Sequence, residues 1–195
     1  MPDTTQMIKE LREKTGAGVL ACKNALTETQ GDMTQAAEIL RRQGLGAAAK
    51  KAERTAADGR VHAYIHAGDK LGALVKINCE TDFVARTEEF ETLCHDLAMQ
   101  VAASSPKWVS RQDIPAETIE QLKAEFAAEI DPAKPPKILG RIMEGKLNKF
   151  YRENCLLEQP FIRDEDKKIQ ELVTEAIAKL GENIVVKRFC RFQIG

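Results

Sequence analysis

Apolar residues recur at helical spacing three times before residue 45. Ile8 and Leu11 mark a first helix that stops at Thr15-Gly16-Ala17-Gly18, and Leu20, Ala21, Ala25 and Leu26 mark a second that stops before Gly31. Met33, Ala36, Ala37 and Leu40 mark the third, opened by Asp32 with Gln35 placed to complete a capping box, and ended by Gly44. So small a unit buries only a modest core. The Ala- and Lys-rich stretch from Gly46 to Ala57 reads as a connecting helix or hinge, with Asp58-Gly59 as the next turn.

From Arg60 the period falls to two. Val61, Ala63 and Ile65 alternate with His62, Tyr64 and His66, and after Gly68-Asp69 a second strand runs through Leu74, Val75 and Ile77, which predicts a hairpin. A helix follows with Phe90, Leu93, Cys94, Leu97 and Val101 on one face and Glu88-Glu89 in its first turn, where carboxylates oppose the helix dipole. Further amphipathic patterns group Ile119, Leu122 and Phe126, then Ile138, Ile142 and Met143, then Ile169, Leu172, Val173, Ala176, Ile177 and Leu180, the last closed by Gly181. The branched and aromatic run from Ile184 to Phe192 predicts a third strand beside the hairpin. These elements predict an α+β fold: a three-helix domain over residues 1–54, then a core over 55–195 built on a three-stranded antiparallel sheet.

Composition narrows the function. The 195 residues carry 29 Lys plus Arg against 30 Asp plus Glu, a net charge of -1, which argues against nucleic acid as the main partner. Five cysteines (Cys22, Cys79, Cys94, Cys155, Cys190) are scattered, odd in number and never in a C-x-x-C pair, the pattern of free thiols in a reducing compartment. The opening Met1-Pro2-Asp3-Thr4-Thr5 has no basic stretch leading into an apolar one, and no apolar run reaches a membrane-spanning length. A soluble, cytoplasmic protein is expected.

Candidate chemistry is sparse. Gly44-Leu45-Gly46-Ala47-Ala48-Ala49 matches a dinucleotide-binding pattern only superficially, because that site needs a strand before the turn and here a helix precedes it. Thr15-Gly16-Ala17-Gly18 is readable as an anion cradle but more simply as an inter-helix turn. His62 and His66 share one side of the first strand, with Cys79, Asp82 and His95 not far off in sequence; the spacing matches no metal-ligand pattern, and a partly exposed strand face accounts for the histidines. Lys50, Lys51 and Arg54 form a basic cluster, most simply a solvated helix face. Neither a cofactor nor a metal site is expected.

Thr81-Asp82-Phe83-Val84-Ala85-Arg86 stands apart, because it follows a strand, precedes a helix and places a large aromatic in a turn. Two readings are open: Phe83 folds back as a staple while Asp82 caps the turn, or Phe83 is an exposed wedge for a partner's pocket.

At this segment the sequence resembles the elongation factor Ts family. Ordered blocks carry the resemblance: Leu11-Arg12-Glu13-Lys14-Thr15-Gly16-Ala17-Gly18 followed by Cys22-Lys23, then Thr81 to Arg86, Pro106-Lys107-Trp108-Val109-Ser110-Arg111, Glu144 to Tyr151, Gln159-Pro160-Phe161 and Gly181-Glu182-Asn183-Ile184. The resemblance implies a non-enzymatic guanine-nucleotide exchange factor for elongation factor Tu, with no direct binding of nucleotide, nucleic acid or membrane. It implies that residues before about Arg54 form a ubiquitin-associated-like domain docking on the partner's nucleotide-binding domain, with Leu11, Arg12, Thr15, Gly16, Ala17, Gly18, Cys22 and Lys23 as the matching positions. Thr81, Asp82, Phe83, Val84, Ala85 and Arg86 match the segment that enters the partner near its magnesium-binding region and unseats the elements that hold GDP. Long family members carry two related core halves and a helical hairpin insertion, whereas this chain holds one core module, so a homodimer supplying both halves is expected, pairing through the last strand with Cys190 near its counterpart and no required disulfide. An adaptor that binds without driving exchange is the main alternative, and an enzyme using Cys79 with His62 or His66 a distant one.

Overall fold

Helix α1 (Thr4–Thr15), α2 (Val19–Glu28) and α3 (Met33–Lys51) open the chain in the computed structural model, which describes residues 4–131 and 135–195. Met1-Pro2-Asp3 of the opening segment thus lie outside the described residues. The three helices share a core of Leu11, Cys22, Ala25, Leu26, Ala36 and Leu40. Asp32 caps α3 by accepting from the backbone N–H groups of Thr34 and Gln35, both at 2.9 Å. The capping box is not reciprocal, however. Gln35 Nε2 donates to the Asp32 carboxylate at 3.1 Å, because the Asp32 N–H already donates to the Thr29 carbonyl at 3.0 Å.

Two expectations for this region need correction. Gly44 does not end α3, which runs through Gly44 and Gly46 to Lys51. Each glycine costs the helix about 1 kcal/mol relative to alanine, but Ala47-Ala48-Ala49 are the strongest helix formers, and a Cβ at position 44 would stand 3.8 Å from that of Ala178. The glycine pattern at residues 44–46 is therefore helix interior and cradles no phosphate. Leu20 is not core either: it is 71% exposed, with Val19 at 54%.

The hairpin of β1 (Asp58–Ile65) and β2 (Leu71–Cys79) joins β5 (Val185–Gln193) in a three-stranded antiparallel sheet of order β1-β2-β5. Gly59, at φ +141, is required where β1 starts, since a Cβ there would meet the Ile77 carbonyl oxygen at 2.1 Å. The burial runs against composition. Val61 and Ile65 are exposed while His62 and Tyr64 are half-buried, and on β2 the inward residues are Ala73, Val75, Ile77 and Cys79, leaving Leu74 exposed.

Between the strands lie α4 (Asp82–Ala85), α5 (Glu88–Ser104), α6 (Ala116–Glu129), α7 (Pro136–Asn154), a small antiparallel pair β3 (Pro160–Phe161) and β4 (Asp164–Lys168), and α8 (Ile169–Leu180). The β3–β4 pair is invisible to hydrophobic patterning because β4 is entirely charged: Asp164, Glu165, Asp166, Lys167 and Lys168. Helix α5 buries Phe90, Leu93, Cys94, Leu97, Ala98 and Val101, as its spacing predicts. Gly181, at φ +79, ends α8 by donating to the Ile177 carbonyl.

The chain packs as two compact units. One comprises Met1–His62, Val75–Asp96 and Glu171–Lys187; the other comprises Ala63–Leu74, Leu97–Gln170 and Arg188–Gly195. In the first, α3 lies along α8: Lys51 Nζ donates to the Ile177 carbonyl at 3.3 Å, and Arg41 pairs with Glu171 at 3.1 Å. In the second, fully buried Gln100 donates to Gln159, Pro160 and Ser104 and accepts from the Ile162 N–H, so its polar head is satisfied. There α6 and α7 pair with no fully buried residue, joined by an ion pair of Glu129 with Lys146. Arg111 anchors the base of this hairpin, bidentate to Glu158 and 4.5 Å above the Tyr151 ring. No helix among the described residues is long and apolar enough to cross a membrane.

Candidate functional site

The segment Thr81–Arg86 is a capped single helical turn. Thr81 has extended backbone and accepts from the Val84 N–H at 3.4 Å, so α4 starts at Asp82, and Arg86 ends it. Threonine rather than Asp82 is the cap. Asp82 instead forms an ion pair with Arg86 at 2.7 Å, one turn on. Ala85 is buried and anchors the turn, and Thr87 links it to α5 by donating to the Val84 carbonyl at 2.8 Å and accepting from the Phe90 N–H at 3.2 Å. Phe83 does not fold back as a staple: it is 79% exposed, the most exposed large apolar side chain among the described residues.

The turn is held from behind. The Glu182 carboxylate accepts from the backbone N–H groups of Glu80 (2.9 Å) and Thr81 (3.0 Å) and from the Thr81 hydroxyl (2.6 Å), while the Glu80 carboxylate accepts from the Asn183 N–H at 2.7 Å. These bonds have an ionised acceptor and are about twice as strong as neutral ones. Sequence reasoning places Glu182 and Asn183 in a family block but assigns them no role, since nothing local reveals a partner a hundred residues away.

The second group of candidate residues surrounds the turn between α1 and α2. Thr15 hydroxyl donates to the Leu11 carbonyl at 2.7 Å and accepts from the Ala17 N–H at 3.3 Å, and Gly16 sits at φ +67, the left-handed conformation that ends α1. Arg12, Gly18 and Lys23 are exposed, and Thr15, Gly16 and Ala17 half-buried. Leu11 and Cys22 are fully buried, so they shape this surface from beneath and do not form it; burial pushes the Cys22 thiol up, its sulfur donating to the Ala17 carbonyl. Exposed Val19 and Leu20 stand beside them, although periodicity counts Leu20 among the apolar positions of its helix.

Cys79 is no nucleophile. It is fully buried, and burial, aided by the charges of Glu182 and Asp58, pushes its thiol up to about 11, so that it stays protonated at neutral pH. His62, whose pKa is lowered by burial and by His95, meets the His95 ring edge-on at 5.6 Å, and His66 Nδ1 is hydrogen-bonded to the Tyr64 hydroxyl at 3.0 Å. Among the described residues no group of three or more His, Cys, Asp or Glu is placed to hold a metal.

Comparison with known proteins agrees with this architecture. The family model described as Elongation factor TS matches residues 47–195. Over its whole length the chain is 54% identical to an elongation factor Ts of Thermodesulfovibrio yellowstonii, covering 98% of it. It is 55% identical to that of Moorella thermoacetica (96% of this chain, 93% of the relative) and 54% identical to that of Caldanaerobacter subterraneus (98% and 96%). With a family match over most of the chain and more than half of all positions shared with relatives of nearly the same length, the chain belongs to the elongation factor Ts family, the guanine-nucleotide exchange factors of translation elongation.

Proposed function

We propose that the chain accelerates GDP release from elongation factor Tu by inserting Phe83 into it as a wedge. The observation that supports this reading most is an aromatic ring left 79% exposed on a turn whose backbone is tied down on both sides. An exposed ring on a loose loop would lose much of its binding energy to ordering; a ring on a fixed turn does not. Thr81, Val84 and Ala85 set the turn, and the Asp82–Arg86 pair flanks the ring with charge. Insertion near the magnesium-binding region displaces the elements that support the metal and the phosphate loop, and GDP leaves without any bond being made or broken. No covalent catalysis is involved, and the chain works in the cytoplasm.

Residues 1–54 form the second contact, docking through Arg12, Gly18 and Lys23 together with Val19 and Leu20, while Leu11 and Cys22 hold that surface in shape. The single core module completes itself as a homodimer. Exposed Ile65, Leu74, Phe192 and Ile194 on and beside the strands give that contact an apolar basis, so the sheet face, more than its edge, is the pairing surface. Sedimentation showing only monomer at micromolar concentration contradicts the dimer.

The decisive experiment is stimulated release of labelled GDP from elongation factor Tu by the wild-type chain and by Phe83→Ala. A central aromatic anchor contributes about 2 kcal/mol or more, so a loss of about thirtyfold or more is expected with the fold intact. Unchanged kinetics would remove the wedge.

A further inference from the structure

Two residues of the loop between α8 and β5 hold both the Phe83 turn and the end of the N-terminal helices. Glu182 grips the turn through three bonds, to the N–H groups of Glu80 and Thr81 and to the Thr81 hydroxyl. That hydroxyl is also the acceptor that caps α4, so a path of two hydrogen bonds leads from Glu182 into the helical turn that carries Phe83. On the other side, Asn183 is 4% exposed and donates its side-chain amide to the carbonyls of Ala52 (3.3 Å) and Arg54 (2.8 Å), where the chain leaves α3. Glu80 closes the circuit. Its carboxylate accepts from the Asn183 N–H at 2.7 Å and lies 3.7 Å from the Arg54 guanidinium.

We infer that Glu182 and Asn183 are positioning residues for nucleotide exchange: they set the place of Phe83 relative to the outgoing end of α3, so that a partner meets the wedge and the N-terminal helices at one fixed spacing. The inference rests on the reading of Phe83 as the wedge. Three directions of approach to one carboxylate fix both the position and the tilt of the turn, which a single bond would leave free to swing. Without Glu182 the N–H groups of Glu80 and Thr81 lose their acceptor, and the turn must be ordered anew at each insertion, a cost that falls on the exchange step.

The test uses the full chain with three variants: Glu182→Leu, Glu182→Gln and Thr81→Val. Glu182→Leu removes every acceptor; Glu182→Gln keeps an amide oxygen for the backbone N–H groups; Thr81→Val removes the hydroxyl link to Glu182 together with the cap on Val84, and serves if the leucine variant folds poorly. Amide hydrogen exchange at Glu80 and Thr81 reports the clasp without any partner, and maximal stimulated GDP release reports its consequence. Glu182→Leu is expected to release those amides, Thr81→Val to leave them protected, and both to slow GDP release about tenfold, with Glu182→Gln restoring most of the rate; Glu182→Leu is expected to cost nothing further on top of Phe83→Ala, because coupled residues are not additive. Equal losses with and without Phe83 would overturn the inference, as they would show a general effect on folding. So would full exchange activity despite freed amides. Phe83→Ala at the full rate would instead remove the wedge reading itself, and is told apart because it occurs with Glu182 and its amide protection intact.

Discussion

The two turns that present apolar side chains, one between α1 and α2 and one at α4, are built in different ways. In the turn that precedes Leu20 the side-chain hydrogen bonds are local: Thr15 to Leu11, Ala17 to Thr15 and Cys22 to Ala17. Around Phe83 the bonds that matter most reach from residues 80–81 to residues 182–183. A surface that only docks tolerates local support, because small displacements cost it little. A wedge that must enter a partner at a set angle needs support from the far side of its own fold.

That contrast can be broken or sharpened by substitution. The largest expected effect is on stability and belongs to the first region: Leu11→Ala empties a fully buried site and should cost about 2–5 kcal/mol, read as a fall in melting temperature. Exchange lost in proportion to unfolding, and no more, would show that Leu11 acts only through the fold. Phe83→Ala comes next, with its loss of about 2 kcal/mol confined to the exchange rate and no change in melting temperature, since the ring is exposed. Asp82→Ala should cost less, as a charge at the rim mainly orients and steers, and a loss larger than that at Phe83 would reverse the ranking. Leu20→Ala is expected to weaken capture of elongation factor Tu by about 1 kcal/mol in a titration, without lowering the maximal exchange rate. An effect on the maximal rate instead would place Leu20 in the exchange step and erase the distinction between the two turns.

Much of this architecture is legible in the sequence, for local reasons. The Asp32 cap, the Gly181 stop, the α5 stripe and the hairpin all depend on residues within one or two turns of each other. Misreadings arise where tertiary contact overrides the local rule. Gly44 looks like a helix stop until α8 is seen close against it, and the Val61, Ala63, Ile65 face looks like core until the opposite residues of β1 prove to be the half-buried ones. Of the two alternatives that the sequence leaves for Phe83, the exposed ring rules out the folded-back staple. The Glu182 clasp is not legible at all, because its two halves lie 101 residues apart in the chain and share no periodicity.

On the proposed mechanism this chain drives exchange by favouring the empty state of its partner. Linkage then requires it to weaken GDP binding by the same factor by which GDP weakens its own binding, because no ligand shifts an equilibrium without differential affinity for the two states. Calorimetric titration of the chain into empty and into magnesium- and GDP-loaded elongation factor Tu measures that factor directly. Markedly tighter binding to the empty partner is expected, with the difference shrinking for Phe83→Ala; equal affinities for the two forms would rule out driven exchange and leave an adaptor that only binds.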